Sequence, residues 1–192
     1  MSTNSSWLRD RRRSGPPLSR LPTIHGPARG PDNQRSIQTP RFLKAFLQAR
    51  RGFRVEKGEN IWHYVHVQGR SNLYLLLGEA ASLGGPPATW NDQGCHLAEA
   101  GSFAWGDILS RLTELGHQKS VLDSPEAPVL DPDGVDKLVL RGKYLAGTNS
   151  RGISLRGKKI LRWQPKMPVI EDSLSDAIDV EAHLLGLSSV RL

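Results

Sequence analysis

With 192 residues, 38% of them hydrophobic, and five Trp, the chain can bury a respectable core, and its length fits one domain or one and a half. The single cysteine, Cys95, excludes an intramolecular disulfide and suits a reducing, cytoplasmic setting. The net charge of +7 is unevenly placed: residues 1–58 hold 13 Lys/Arg against 3 Asp/Glu and the remainder 13 against 16, which excludes a uniformly basic nucleic-acid binder.

Residues 1–20 show no hydrophobic periodicity and are expected to be a disordered basic tail. Arg11, Arg12 and Arg13 form a run there, but Trp7 is the lone aromatic, so base stacking and nucleic-acid binding are not expected. The start lacks the apolar stretch of a secretory signal. It shares the Ser/Arg bias of mitochondrial leaders, yet Pro16 and Pro17 break any long amphipathic helix, so mitochondrial import is the minor expectation.

Leu21 to Ile24 reads as a short strand closed by His25-Gly26-Pro27, and the Gly- and Pro-rich stretch to Asn33 as a loop. Thr39-Pro40 then opens a helix, Thr as N-cap and Pro at the first helical position. Phe42, Leu43, Phe46 and Leu47 share one face of it, and Gly52 is its expected stop. Phe53 to Glu56 reads as a strand, Lys57 to Asn60 as a turn, and Ile61 to Val67 as a second, aromatic and β-branched strand. Trp62, Tyr64 and His66 lie on one face of that strand, with Ile61, His63, Val65 and Val67 on the other. His63 and His66 therefore point apart and do not suit a shared metal.

Ser71 is the expected cap of the next helix, whose Leu73, Leu75, Leu76, Leu77 and Ala80 predict deep burial on all sides. That cluster falls well short of the roughly 18 apolar residues of a membrane span, so no membrane partner is expected. His96 to Ala98 reads as a short strand. Ser102 is the expected cap of a helix striped by Trp105, Ile108, Leu109, Leu112 and Leu115 and stopped at Gly116. Residues 117–136 read as loop, with Asp131, Asp133 and Asp136 solvated rather than arranged to bind Ca²⁺. Ser150 is the expected cap of a basic helix whose polar side holds Arg151, Arg156, Lys158, Lys159 and Arg162. Ser173 with Asp176 predicts a capping box for the last helix, with Leu174, Ala177, Ile178, Ala182 and Leu185 inward and Gly186 at its end.

The strand–helix alternation indicates an α/β fold with too few strands to complete a doubly wound sheet. No glycine-rich turn of the G-x-G-x-x-G type, no Walker A sequence and no G-x-S-x-G elbow occurs. No Tyr is followed by Lys four residues later: Tyr64, Tyr74 and Tyr144 meet Gln68, Gly78 and Thr148.

The segments LPTIHGPARGPDN and SIQTPRFLKAFLQARRGFRVEKGENIWHYVHVQGRSNLYLLLGEAA resemble the middle of an extended short-chain dehydrogenase/reductase, the NAD-dependent epimerase/dehydratase family, in its fungal form. There a strand ends in a P-x-x-x-G-P turn, a helix follows, and a V-H-V strand leads into an apolar helix. SFAWGDILSRLTELGH, LAGTNSRGISLRGKKILRWQPKMP and PVIEDSLSDAIDVEAHLLGL resemble later helices, with Arg162 replacing the Gly before Trp163 and Gln68-Gly69 replacing acidic residues.

The resemblance implies an incomplete Rossmann-like sheet, its last strands only, plus the small C-terminal substrate domain, spanning 21–187 with a short tail at 188–192. It implies chemistry on nucleotide sugars or on secondary-metabolite carbonyls and hydroxyls, with NAD or NADP as cofactor in full-length relatives. Pro22, Thr23 and Ile24 would approach the nicotinamide. Asn33, Gln34, Asn60, Trp62 and His66 would line the substrate pocket. The proton step of that chemistry needs a Tyr whose pKa a Lys one turn away lowers. That pair and the phosphate-binding turn are missing, so the expectation is a truncated chain, inactive and binding no cofactor alone. The alternative is a non-catalytic binding or scaffold protein derived from the fold, with a protein partner covering the exposed sheet edge.

Overall fold

The structure is a computed structural model that describes residues 22–187. The tails expected at 1–20 and 188–192 lie outside the described residues. The chain opens with strand β1 (Thr23–His25), followed by helix α1 (Gln38–Ala49), strand β2 (Arg54–Val55), strand β3 (Ile61–His66) and helix α2 (Val67–Ser82). Strand β4 (Gly101–Ala104) runs straight into helix α3 (Trp105–Gln118). Strand β5 (Val129–Leu130) and the short helices α4 (Pro132–Leu138), α5 (Gly142–Gly147) and α6 (Leu155–Lys159) precede the closing helix α7 (Leu174–Leu184).

The main sheet has the order β1-β3-β4. β1 and β3 are parallel, with Thr23 opposite Tyr64 and His25 opposite His66. β3 and β4 are antiparallel, with Trp62 opposite Phe103 and His63 opposite Ser102. β2 and β5 form a separate parallel pair. Residues Trp62 to His66 are buried on both faces of β3, as in a sheet covered on two sides. On one side Trp62 and Tyr64 join the main core, where α1, α3 and α7 pack together through Phe42, Phe46, Trp105, Leu112 and Ile178. On the other, Val65 meets Leu73, Ala80, Leu161 and Trp163 in a second, smaller core. The apolar stripes read for α1, α3 and α7 supply most of the main core, each fully buried aliphatic side chain contributing about 2 kcal/mol of transfer free energy.

Several local readings give way to tertiary structure. α1 begins at Gln38 with no side-chain cap, Thr39 lies buried inside it, and it stops at Ala49 with Arg50 in the left-handed region. Gly52 has a packing role instead: a Cβ there would sit 1.9 Å from the Thr113 hydroxyl. α2 starts before Ser71, because the His66 imidazole accepts from the Gln68 N–H and caps it; the Ser71 hydroxyl bonds the Val67 carbonyl within the helix. Only Gly69, Leu73 and Ala80 of α2 are buried, and Tyr74 and Leu75 stand exposed, because a single face of the helix meets the second core.

Ser102 belongs to β4, where ladder pairing with β3 wins over capping, and residues 96–98 have no strand partner. Gly116 lies inside α3, pressed by the Leu122 side chain that folds back over it. The expected 117–136 loop contains β5 and most of α4. There the Asp131 carboxylate caps α4 by accepting from the Gly134 N–H, and Asp133 and Asp136 pair with Lys143. Ser150 bridges to Trp62 rather than capping a helix, and the basic helix is reduced to the five residues of α6. Ser173 does stand at the N-cap of α7, but its hydroxyl donates to the Ile170 carbonyl and no capping box forms. Among the described residues no helix is long and apolar enough to cross a membrane. The architecture is α/β with a partial sheet.

Candidate functional site

Parallel strands β1 and β3 end together, which sets His25 beside His66. The chain must turn sharply at that point, and Gly26 turns it with φ +81°. Only glycine fits: a Cβ would lie 2.1 Å from His66 Nε2. The loop that follows folds back on the strand end. The Ser36 hydroxyl donates to the Ile24 carbonyl at 2.8 Å, the Ala28 N–H to the Gln34 carbonyl at 3.0 Å, and the Arg35 N–H to Asn33 Oδ1 at 3.0 Å. Arg35 Nη1 then reaches Glu181 Oε1 on α7 at 2.6 Å, and Glu181 is only 6% exposed.

This loop separates two openings. A cleft of about 330 Å³ is lined by Pro22, Ile24, Asn33, Arg41, Val67 and Leu145. A cavity of about 310 Å³ on the other side is lined by His25, Gln34, Thr39, Ser173, Asp176 and Glu181. A third opening, of about 590 Å³, lies beside β2 and is lined by Lys57, Glu59 and Asn60 among others.

Burial sets the proton chemistry. The Ser173 hydroxyl gives its proton to Ile170, so His25 Nδ1, 3.3 Å away, donates to the Ser173 oxygen. His25 Nε2 is left as a buried acceptor with no partner. Desolvation, and secondarily the charge of His66, push the His25 pKa down to about 4. His66 is lowered by burial and by Arg29. Both rings are therefore neutral near pH 7, stacked edge to face with centroids 5.2 Å apart. Tyr64 is raised by burial and then by Glu171, Glu99 and Asp172, the opposite of what a proton-donating reductase Tyr requires. Among the described residues no three His, Cys, Asp or Glu side chains gather to ligate a metal.

The structure brings Pro22, Ile24 and Asn33 to one cleft; His66 is buried beneath Gly26 and does not itself line that cleft. Gln34 faces the neighbouring cavity, and Thr23 is fully buried with an unpartnered hydroxyl. Asn60 lies at the opposite end of β3, its amide donating to the Ala146 carbonyl. Trp62 is 4% exposed, packs against Trp105 and Tyr144, and donates its indole N–H to the Thr148 carbonyl, so it lines none of the three openings.

No sequence motif marks Arg35, Arg41 or Glu181 as site residues. Glu181 had a legible signal: it falls on the inward stripe of α7 between Ile178 and Ala182, where a lone carboxylate needs a buried partner. The cleft-side cation Arg41 and the Asn33 amide suit an anionic or hydroxyl-rich ligand, whereas the charge of Arg35 is taken up by Glu181. The described residues do not by themselves fit a dinucleotide, since no strand–glycine turn–helix unit presents backbone N–H groups to a pyrophosphate.

No family model matches the chain, and no curated protein matches it. Solved structures do. UDP-glucuronic acid 4-epimerase from Bacillus cereus, in complex with UDP-glucuronic acid and NAD, aligns over 86% of this chain at 15% identity and a TM-score of 0.52. UDP-glucose 4-epimerase from Thermotoga maritima, with UDP-glucose, aligns over 86% at 17% identity and a TM-score of 0.53. The chain spans only 44% and 45% of those two proteins. At such identities the likeness is one of fold: the chain has the fold of the C-terminal portion of these epimerases.

Proposed function

We propose that this chain is the substrate-side portion of an NAD(P)-dependent oxidoreductase of the epimerase/dehydratase type, acting on a nucleotide sugar or a secondary-metabolite carbonyl or hydroxyl. The observation that carries the reading is the cleft at the shared carboxyl ends of β1 and β3, where ligands sit in α/β sheets. In this reading Pro22 and Ile24 form the wall toward the nicotinamide, with Thr23 buried behind them. Asn33 and Gln34 shape the substrate end with His66 behind Gly26, and Asn60 faces the opening at the far end of β3, where the buried Trp62 supports the strand rather than touching the ligand. The fungal branch of the family belongs to the same proposal, on the strength of residues 21–33 and 36–81. So does a reducing, cytoplasmic location.

The chain contains neither a glycine-rich phosphate turn nor a Tyr with Lys four residues on, so we infer that it binds substrate but does not turn over NAD(P)H alone. The scaffold reading has its own support. The outer edge of β1 has no strand partner among the described residues, and Tyr74 and Leu75 are 58% and 61% exposed, both suited to a covering protein.

Titration of the purified chain with UDP-glucose, followed by backbone amide NMR, separates these readings. Shifts at residues 24–41 and 66–67, with no NADH or NADPH oxidation, are expected. Absence of any shift there removes the substrate-binding reading, and cofactor turnover removes the inference of inactivity.

A further inference from the structure

From Lys137 to Ile170 the chain carries nine Lys/Arg and no Asp/Glu. Lys143 is neutralised by Asp133 and Asp136, and Lys158 by Glu99. Arg151, Lys159, Arg162 and Lys166 are exposed and have no carboxylate partner among the described residues. They are not the polar side of a long helix, because α6 spans five residues. Buried anchors fix residues 157–163 against the second core instead. Trp163 is 2% exposed and donates its indole N–H to the Gly69 carbonyl at 2.9 Å; Leu161 is buried beside it. Gly157 faces Trp163 and Leu73.

What lies between the anchors points outward. On α6, Leu155 and Lys159 sit on the side opposite Gly157. Arg162 projects between the inward Leu161 and Trp163, and Lys166 follows. Arg162 holds φ +53°, a conformation glycine adopts freely and a residue with a Cβ adopts at a cost, as Arg50 and Arg141 also do here. The backbone thus accepts strain at a position where a cation is displayed. Ile153 and Leu155, 70% and 56% exposed, stand in the same stretch.

We propose that this ridge is a peripheral docking surface for an anionic phospholipid bilayer. The four cations lie among the headgroups, and Ile153 and Leu155 enter the first methylene layer. Cations interleaved with protruding aliphatic side chains match that chemistry. A nucleic acid would call for stacking aromatics, and between Arg151 and Lys166 the one aromatic, Trp163, is buried. No membrane-spanning segment is needed, and the surface is independent of the substrate cleft.

The test is co-sedimentation of the full chain with phosphatidylcholine vesicles, with and without phosphatidylserine. Binding to the phosphatidylserine vesicles alone, weakening with salt, is expected. R162G should bind about fivefold more weakly and K159Q/R162G/K166Q about a hundredfold. R162G relieves the backbone, so its urea midpoint should be equal or higher, which separates lost binding from lost folding. L155S should weaken binding without altering its salt dependence. Equal binding of the triple variant and the parent would assign any affinity to the basic residues before Leu21 and overturn the proposal. So would equal affinity for both vesicles, binding to neither, or tighter binding of a single-stranded oligonucleotide.

Discussion

Gly26→Ala tests the geometry of the strand-end site most directly. Two costs add. An L residue at φ +81° loses about 1–2 kcal/mol of conformational energy. The new Cβ also meets His66 Nε2 at 2.1 Å and Cδ2 at 2.4 Å. His66 has little room to yield: it is 7% exposed, it stacks on His25, and its Nδ1 caps α2 through the Gln68 N–H at 3.1 Å. Overpacking of that kind costs about 1–3 kcal/mol, giving a total of about 2–5 kcal/mol. Urea denaturation, read as a midpoint change at constant slope, measures it. Gly30→Ala is the control, since a Cβ there meets nothing within 4 Å; it should be neutral or gain up to about 1 kcal/mol. In a His66→Ala background the steric part vanishes and Gly26→Ala should cost only the conformational 1–2 kcal/mol, roughly. A cost below about 0.5 kcal/mol in the parent, or an undiminished cost beside His66→Ala, refutes the reasoning.

Three further outcomes follow from the same contacts. His25 has a folded pKa of about 4 against an ordinary 6.5, so the unfolded chain binds its proton first. Its contribution is complete above 6.5 and is lost as pH falls toward about 4, reaching about 3 kcal/mol. The stability difference between the parent and His25→Asn should therefore change across that window; a constant difference removes the claim. Arg35→Ala strands the buried Glu181 carboxylate and should cost about 2 kcal/mol, more than Glu181→Gln, with amide exchange accelerated across residues 27–36; the reverse order would show that the pair does not hold the loop. Trp62→Phe leaves the Thr148 carbonyl unpaired and should cost about 1–2 kcal/mol with UDP-glucose affinity unchanged, whereas lost affinity at full stability would make Trp62 a ligand contact.

The helices with apolar stripes were legible because burial alone specifies them. Phe42, Leu43, Phe46 and Leu47 on α1, or Leu174, Ile178 and Ala182 on α7, need only a period of 3.6 and something to pack on. Caps and strand ends were less legible, since they depend on which of two local bonds the rest of the fold favours. Ser102 and Ser71 are good caps in isolation. Ser102 lies opposite His63 in a ladder, and Ser71 sits one turn inside a helix that a histidine caps. Glycines misled for a related reason. Gly52 and Gly116 look like helix stops, yet each is small because a side chain, Thr113 or Leu122, occupies the space above it. In the site, the turn at Gly26 was readable from its Gly-Pro pair, whereas Arg35 and Glu181 meet across 146 residues and no local pattern joins them.

The direction of each strand explains why the expected site residues divide into two groups. β1 and β3 are parallel, so both chains leave the sheet at one edge, and the loops after His25 and His66 meet there around the 330 Å³ cleft. β4 runs the other way, so α3 departs from the opposite edge, next to Asn60 and the opening beside β2. Asn60 and His66 thus bracket a six-residue strand, about 20 Å from end to end. No short ligand touches both. If one substrate engages Asn33 and His66 as well as Asn60, it must be elongated, with its reacting end at the cleft and a distal group near Lys57 and Glu59. That requirement favours a sugar carried on a nucleotide over a free sugar. It also gives the amide titration a second readout: shifts near Asn60 in addition to those at residues 24–41 and 66–67 are expected only if the ligand is elongated, and glucose alone should move one end at most.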